Sequence, residues 1–179
     1  MTEKIVAVSL AIICFLVILI TGLRSNLLKE SNEAGKPYSF HKFQLWIWTL
    51  VILPAFILHW GYVPGNIPAI NQTSLILLGI SGATTMTAEM ITATQKMGAT
   101  TSLKAVQLST TGFWRDLLMD DSSQLSIGRL QQLLFTFVYV LIYVCTFFPG
   151  MNYPDFDPTT YILMGISTGT FLLGKGLNK

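Results

Sequence analysis

The stretches LLGISGATT (residues 77–85) and LMGISTGTF (residues 163–171) carry nearly the same Gly-Ile-Ser phrase, 86 positions apart, inside two apolar segments. Further matches flank both copies. At an offset of 87, the group Ser39, Lys42, Phe43, Gln44 and Thr49 corresponds to Ser126, Arg129, Leu130, Gln131 and Thr136. The repeat therefore predicts two helical hairpins of the same orientation, related by a pseudo-two-fold axis along the membrane normal.

The amino-acid composition indicates the environment that surrounds these hairpins. Apolar residues make up 51% of the chain and charged residues 11%, and the mean hydropathy is +0.56. A soluble domain usually carries about 25% charged residues. The net charge of +2 is too small to indicate nucleic acid, so the expected environment is the lipid bilayer.

Five apolar segments approach the length of about 20 helical residues that crosses a bilayer. They are residues 5–23, 43–60, 74–94, 130–148 and 159–174. The fold class is thus an all-α integral membrane protein with about five transmembrane helices. Pro54 is expected to kink the second. The first is longer than a signal-peptide core and lacks a small-x-small cleavage site, which favours a retained anchor.

The domain organisation follows from these segments and the repeat. Residues 1–37 form an N-terminal anchor with its cytoplasmic loop, and residues 38–95 form the first hairpin. Residues 96–124 form a cytoplasmic linker with a short interfacial helix, and residues 125–179 form the second hairpin.

Basic residues predict the orientation. Ten of the eleven Lys and Arg residues fall on one side of the predicted spans, and Lys4 is the exception. The ten are Arg24, Lys29, Lys36, Lys42, Lys96, Lys104, Arg115, Arg129, Lys175 and Lys179. Since cytoplasmic loops are enriched in Lys and Arg, the N-terminus is expected outside and the C-terminus in the cytoplasm.

Small residues inside the repeated phrase predict a helix contact. Gly79 and Ala83 are four residues apart, as are Gly165 and Gly169. This spacing lets helix backbones approach closely in lipid. A substrate or ion site at the pseudo-axis is the alternative.

The third segment carries the polar residues that bear most directly on function. Ser81, Thr85 and Thr92 form a stripe that favours tight packing, with a pore lining as the alternative. Glu89 lies within the span, where a charge indicates a functional site by default. Its repeat equivalent is Lys175, so the two form a candidate ion pair, or are solvated near the headgroups.

The linker contains a candidate interfacial helix. Its apolar side carries Phe113, Trp114, Leu117 and Leu118, which are expected to lie at the inner membrane surface or to dock a cytoplasmic partner. In the outer loops, Asn71 and Asp157 are predicted N-caps, the second followed by Pro158. Asn71-Gln72-Thr73 is also a glycosylation sequon, although capping explains it better.

The phrases SFHKFQLWIWTLVI…LLGIS and SIGRLQQLLFTFVY…LMGIS resemble the duplicated two-helix hairpin of uncharacterised bacterial multi-pass membrane proteins. The resemblance runs from Tyr38 to the C-terminus. It implies the bacterial cytoplasmic (inner) membrane and implies no activity.

The absence of recognisable catalytic or metal-binding motifs limits the functions that the sequence predicts. No catalytic motif is present, and Cys14 and Cys145 lie in apolar segments without a metal spacing. Neither a cofactor nor a metal is expected. We expect a non-enzymatic, homo-oligomeric membrane subunit that anchors or couples a cytoplasmic partner. A small oligomeric channel or pore-forming effector, lined by the third segment, is the alternative, ahead of a transporter and a membrane enzyme.

Overall fold

The computed structural model describes residues 2–30, 35–63, 69–78, 110–119 and 124–164 of the chain. These residues form helices and connections but no strand, with isolated bridges joining Lys29 to Tyr38 and Met119 to Leu125. The helices are α1 (Thr2–Arg24), a 3-10 turn (Asn26–Leu28), α2 (Phe40–Tyr62), α3 (residues 72–78), α4 (Phe113–Leu118), α5 (Ile127–Gly150) and α6 (Pro158–Leu163).

Three helices are long and apolar enough to cross a membrane. They are α1, α2 and α5, of 23, 23 and 24 residues. The described residues are helical as predicted, and these three helices are candidate membrane spans. Each extends a few residues beyond the predicted apolar segment. Of the third and fifth segments, only residues 74–78 and 159–164 are described, so the five-span count remains a prediction.

Capping residues begin the helices as expected. The Asn71 Oδ1 atom accepts the Ser74 backbone N–H at 3.0 Å, and α3 starts at the next residue. The Asp157 carboxylate accepts the Thr159 backbone N–H at 2.9 Å, with Pro158 as the first residue of α6. Hydrogen bonds from the Thr159 hydroxyl and backbone amide lower the pKa of Asp157. Both predicted N-caps are confirmed.

Small residues bring α1 and α2 together as an antiparallel pair. A Cβ atom at Gly61 would overlap Ala7, and one at Gly22 would overlap the indole of Trp46. That indole donates its Nε1–H to the Ile18 carbonyl at 3.0 Å. Contacts at opposite ends of both helices establish the antiparallel direction.

By contrast, α2 and α5 run in the same direction. Gln44 contacts Thr136 in the first half of each helix, and the Trp48 and Tyr143 ring centroids lie 6.2 Å apart further along both. At the far end, His59 hydrogen-bonds the Met151 carbonyl, the residue that follows α5. The hydrophobic core lies along this pair.

The α1–α2 contact predicts a specific intolerance at Gly22. Replacing Gly22 with Ala adds a methyl group where the Trp46 ring lies, so the helices must separate or Trp46 must give up its hydrogen bond. We expect a loss of about 1–3 kcal/mol in the free energy of unfolding, measured in detergent or bicelles.

Gly128→Ala is the matched control for this change. A Cβ there meets only the Ser126 hydroxyl, at 3.6 Å, so the variant should be at least as stable as the parent. Equal stability of the two variants would contradict the proposed close approach.

Candidate functional site

Most of the polar and small residues singled out in the sequence lie outside the described residues. These are Gly79, Ser81, Ala83, Thr85, Glu89, Thr92, Gly165, Gly169 and Lys175. The helix contact, the ion pair and the pore stripe therefore remain predictions. The linker residues Phe113, Trp114, Leu117 and Leu118 are described, together with buried polar groups that the sequence did not single out as a site.

A buried amide lies in the N-terminal part of the α2–α5 pair. The Gln44 side chain is 3% exposed, and its Nε2 atom donates to the Thr136 hydroxyl at 3.3 Å and to the Met164 carbonyl at 3.0 Å. Thr136 in turn donates to the Gln132 carbonyl at 2.8 Å. One side chain of α2 thus fixes α5 and the end of α6 by hydrogen bonds that no lipid can replace.

Thr73, at the start of α3, joins that helix to α6 and to the connection between α5 and α6. Its buried hydroxyl donates to the Asp155 carboxylate at 3.0 Å and accepts the Phe156 backbone N–H and the Tyr161 hydroxyl, each at 3.1 Å. These partners use the hydroxyl's one donor and both acceptor positions. The Asn71 amide also donates to the Pro154 carbonyl at 2.7 Å. Both functional side chains of the sequon are therefore engaged in folding contacts, which supports the capping interpretation.

Between these two ends, a polar pair joins α3 to α5. The buried Ser74 and Tyr143 hydroxyls lie 2.8 Å apart. Two buried polar atoms nearby have no hydrogen-bond partner within the described structure, namely Trp48 Nε1 and the Tyr153 hydroxyl. Burial raises the pKa of Tyr153, which lies in the connection after α5, to about 12, so this phenol stays protonated at physiological pH.

The central linker is fastened to the bundle by a buried carboxylate. Asp116, in α4, is 5% exposed and accepts four hydrogen bonds. The donors are the Thr110 hydroxyl (2.6 Å), the Thr111 backbone amide (2.9 Å) and hydroxyl (2.8 Å), and the Tyr38 backbone amide (3.2 Å). Burial by itself raises the pKa of this carboxyl, but the four hydrogen bonds outweigh that effect, so the pKa lies below its ordinary value.

Residues 110–119, which we call the bracket, connect the starts of α2 and α5. At one end Asp116 binds Tyr38, which lies two residues before α2. At the other end, the Leu118 carbonyl accepts the Ser126 backbone N–H at 2.9 Å, and Arg129 donates to the Met119 carbonyl. The bracket therefore has a fixed position at the N-terminal ends of α2 and α5.

The apolar side of α4 is used mainly for this attachment. Leu117 is 0% exposed and belongs to the core, and Phe113 and Leu118 pack against that core as partly buried residues. Phe113 also stacks edge-on against Tyr38, with ring centroids 5.0 Å apart. Of the four predicted surface residues, Trp114 is the one that stays exposed, at 59%.

A cavity in the described part of the chain has an almost entirely apolar lining. A space of about 190 Å³ lies between α1, α2 and α5, next to Pro54. Its lining residues are Phe15, Leu50, Val51, Pro54, Ala55, Leu58, Tyr143, Val144, Phe147 and Phe148. An apolar chamber of this size favours hydrocarbon over a hydrated ion or a polar substrate.

Sequence reasoning missed Gln44, Thr73 and Asp116 as site residues. In the sequence, Gln44 is a lone amide at the start of an apolar segment, and its only recognised feature was its match to Gln131 in the repeat. Asp116 lies six residues after Thr110 and five after Thr111. The significance of this spacing is apparent only once α4 is known to bring the carboxylate back to Thr110. Comparison with protein-family models, with curated proteins and with solved structures found no match.

Asp116 predicts a defined acid sensitivity. Because its folded pKa is depressed, its stabilising contribution is fully present above the ordinary value of 3.8 and is lost as the pH falls through the lower folded value. Asp116→Asn places an amide against hydrogen-bond donors and should lower the free energy of unfolding at pH 7 by about 1–3 kcal/mol. The variant should also show a shallower loss of stability below about pH 4 than the parent.

Thermal melts followed by circular dichroism between pH 3 and pH 7 measure both effects. Asp157→Asn is the matched control at pH 7, because Asn also caps a helix and Asp157 is exposed, so little change in stability is expected there. An Asp116→Asn variant as stable as the parent at pH 7 would refute the role of the carboxylate.

Proposed function

We propose that the chain is a non-enzymatic subunit of an oligomeric membrane complex that holds a cytoplasmic partner at the inner surface of the bilayer. Trp114 carries this proposal. It is exposed on a bracket whose position is fixed by Asp116 on one side and Ser126 on the other. Exposed tryptophans on rigid supports contribute disproportionately to protein interfaces, because little side-chain freedom is lost on binding.

The polar groups in the membrane-spanning part support a subunit over a pore. Gln44, Thr136, Ser74 and Tyr143 all bond within the chain. Groups paired in this way stabilise helix packing and do not line a water-filled path. The proposed pore-lining residues of the third segment lie outside the described residues, so the channel stays an outcome that the experiment below can detect.

The proposed orientation places the bracket in the cytoplasm of a bacterial cell, with the N-terminus outside. The charge distribution supports it, because Arg115 and Arg129 lie in or beside the bracket. Lys4 lies at the opposite end of the bundle, 5.2 Å from the centroid of the Tyr62 ring. The duplication of the hairpin belongs to the same proposal, and the shared direction of α2 and α5 supports it.

Trp114→Ala tests the proposed docking role. The side chain is exposed, so the free energy of unfolding should change by less than about 0.5 kcal/mol. A photo-crosslinking residue at position 114 should form a protein adduct of one defined mass in native membranes, and Trp114→Ala should lower recovery of that partner. Leu117→Ala is the contrasting variant on the same helix, and it should lower stability by about 2–5 kcal/mol because Leu117 is buried.

Crosslinks at position 114 to lipid alone would contradict the partner role and leave Trp114 as a membrane anchor. Purified protein in liposomes should pass no ions. A selective ion flux would replace the subunit proposal with the channel.

A further inference from the structure

The helices α2 and α5 start in the same way, so their positions can be compared at an offset of 87. Ser39 and Ser126 precede them as N-cap residues. Gln44 and Gln131 are the fifth residue of each helix. Thr49 and Thr136 each donate to the carbonyl four residues earlier, both at 2.8 Å.

Equivalent faces of the two helices have opposite environments. On α2, Phe40, Phe43, Gln44, Ile47 and Trp48 are buried in the core. Their α5 equivalents are Ile127, Leu130, Gln131, Leu134 and Phe135, of which the first four are exposed, Ile127 at 83%.

The reason is that α2 packs on the other side of α5, the side that carries Thr136 and Tyr143. The two helices therefore contact each other through faces that are not equivalent in the repeat. It does not have the two-fold symmetry expected from the repeat, in which Gln131 would bond Thr49. On α5, the face equivalent to the buried face of α2 contacts none of the described helices.

A continuous exposed seam runs the length of this side of α5. Its members are spaced alternately four and three residues apart, and every one is exposed. They are Ile127, Gln131, Leu134, Val138, Leu141, Cys145 and Phe148. This average spacing of 3.5 residues is the seam of two helices that wind around each other.

Gln131 distinguishes this seam from an ordinary lipid-facing side. Its amide makes no hydrogen bond within the described structure, whereas the equivalent Gln44 donates two. Amides in transmembrane helices promote association, because lipid offers them no partner. Two Gln side chains can also bond each other, since the amide oxygen of one accepts an N–H of the other.

We infer that the α5 seam is a homodimer interface, in which a second copy of this chain packs α5 in parallel and the two Gln131 amides bond across the two-fold axis. A second copy inserted in the same membrane presents the same seam in the same direction, so the axis lies along the membrane normal and Gln131 meets Gln131. The inference rests on the oligomeric part of the proposed function and names its surface.

The native cysteines allow a test on the unmodified chain. Cys145 lies on the seam, whereas Cys14 is half-buried on α1. A disulfide needs Cα atoms within about 7 Å, which a position near the dimer axis satisfies. Oxidation with copper phenanthroline in native membranes should therefore link two chains. The link should persist in Cys14→Ser and disappear in Cys145→Ser.

Gln131→Leu tests the amide. Loss of an interhelical hydrogen bond in lipid should weaken dimerisation roughly 3- to 15-fold, measured by the dilution dependence of the dimer in detergent micelles or bicelles. Gln132→Leu makes the same change one residue on, away from the seam, and should leave dimerisation unaltered. Unchanged melting temperatures would show that both variants fold.

Absence of a Cys145 link, or equal effects of Gln131→Leu and Gln132→Leu, would overturn the inference. Light scattering on the purified chain separates this failure from that of the proposed function. An oligomer without a Cys145 link would move the interface away from α5, whereas a monomer would remove the oligomeric subunit as well.

Discussion

The requirement that polar groups find partners inside a bilayer governs this structure, and the Gln44 amide is the clearest case. Lipid is as apolar as a leucine side chain, so burial of apolar surface does not by itself hold α2 against α5. The amide of Gln44 donates to Thr136 and to the Met164 carbonyl, and so links three helices at one depth. Ser74 with Tyr143 and Thr73 with Asp155 repeat the arrangement toward the other end. Apolar packing fills the space between these links.

The same requirement separates the two kinds of exposed surface. The exposed side of α1 is mainly apolar, and its exposed Ser9 and Thr21 hydroxyls donate to carbonyls of the same helix, so this side suits contact with lipid. The seam of α5 carries an amide, and the bracket carries a tryptophan on a support fixed by a buried carboxylate. Both of these surfaces carry groups that lipid alone does not satisfy. The proposed subunit role and the α5 interface follow from that shared property.

The spanning helices were predictable because each depends on a local property of about 20 consecutive residues. Hydropathy located α1, α2 and α5, and Asn71 and Asp157 were recognisable as caps, since a cap acts within three residues of itself. The partners of Gln44 were not predictable, because Thr136 and Met164 lie 92 and 120 residues away. For α4, the one-sided apolar pattern predicted a helix whose apolar side contacts the membrane surface or a partner. Periodicity does not specify what covers that side. In the structure, Phe113, Leu117 and Leu118 pack against the hydrophobic core of the same chain. The contact of Gly22 with Trp46 was not predictable, because a single glycine in an apolar helix does not specify which residue of another helix approaches it.

A double-mutant cycle at Gln44 and Thr136 tests the central claim most directly. Gln44→Leu and Thr136→Val remove the two polar side chains singly and together, and the free energy of unfolding is measured in bicelles. The account predicts that the two losses are not additive, with a coupling energy of about 0.6 kcal/mol, the average for interhelical hydrogen bonds in membranes, and at most about 1.7 kcal/mol. Additive losses would show that Gln44 and Thr136 do not interact, and would contradict the parallel α2–α5 pair on which the rest of the structure is built.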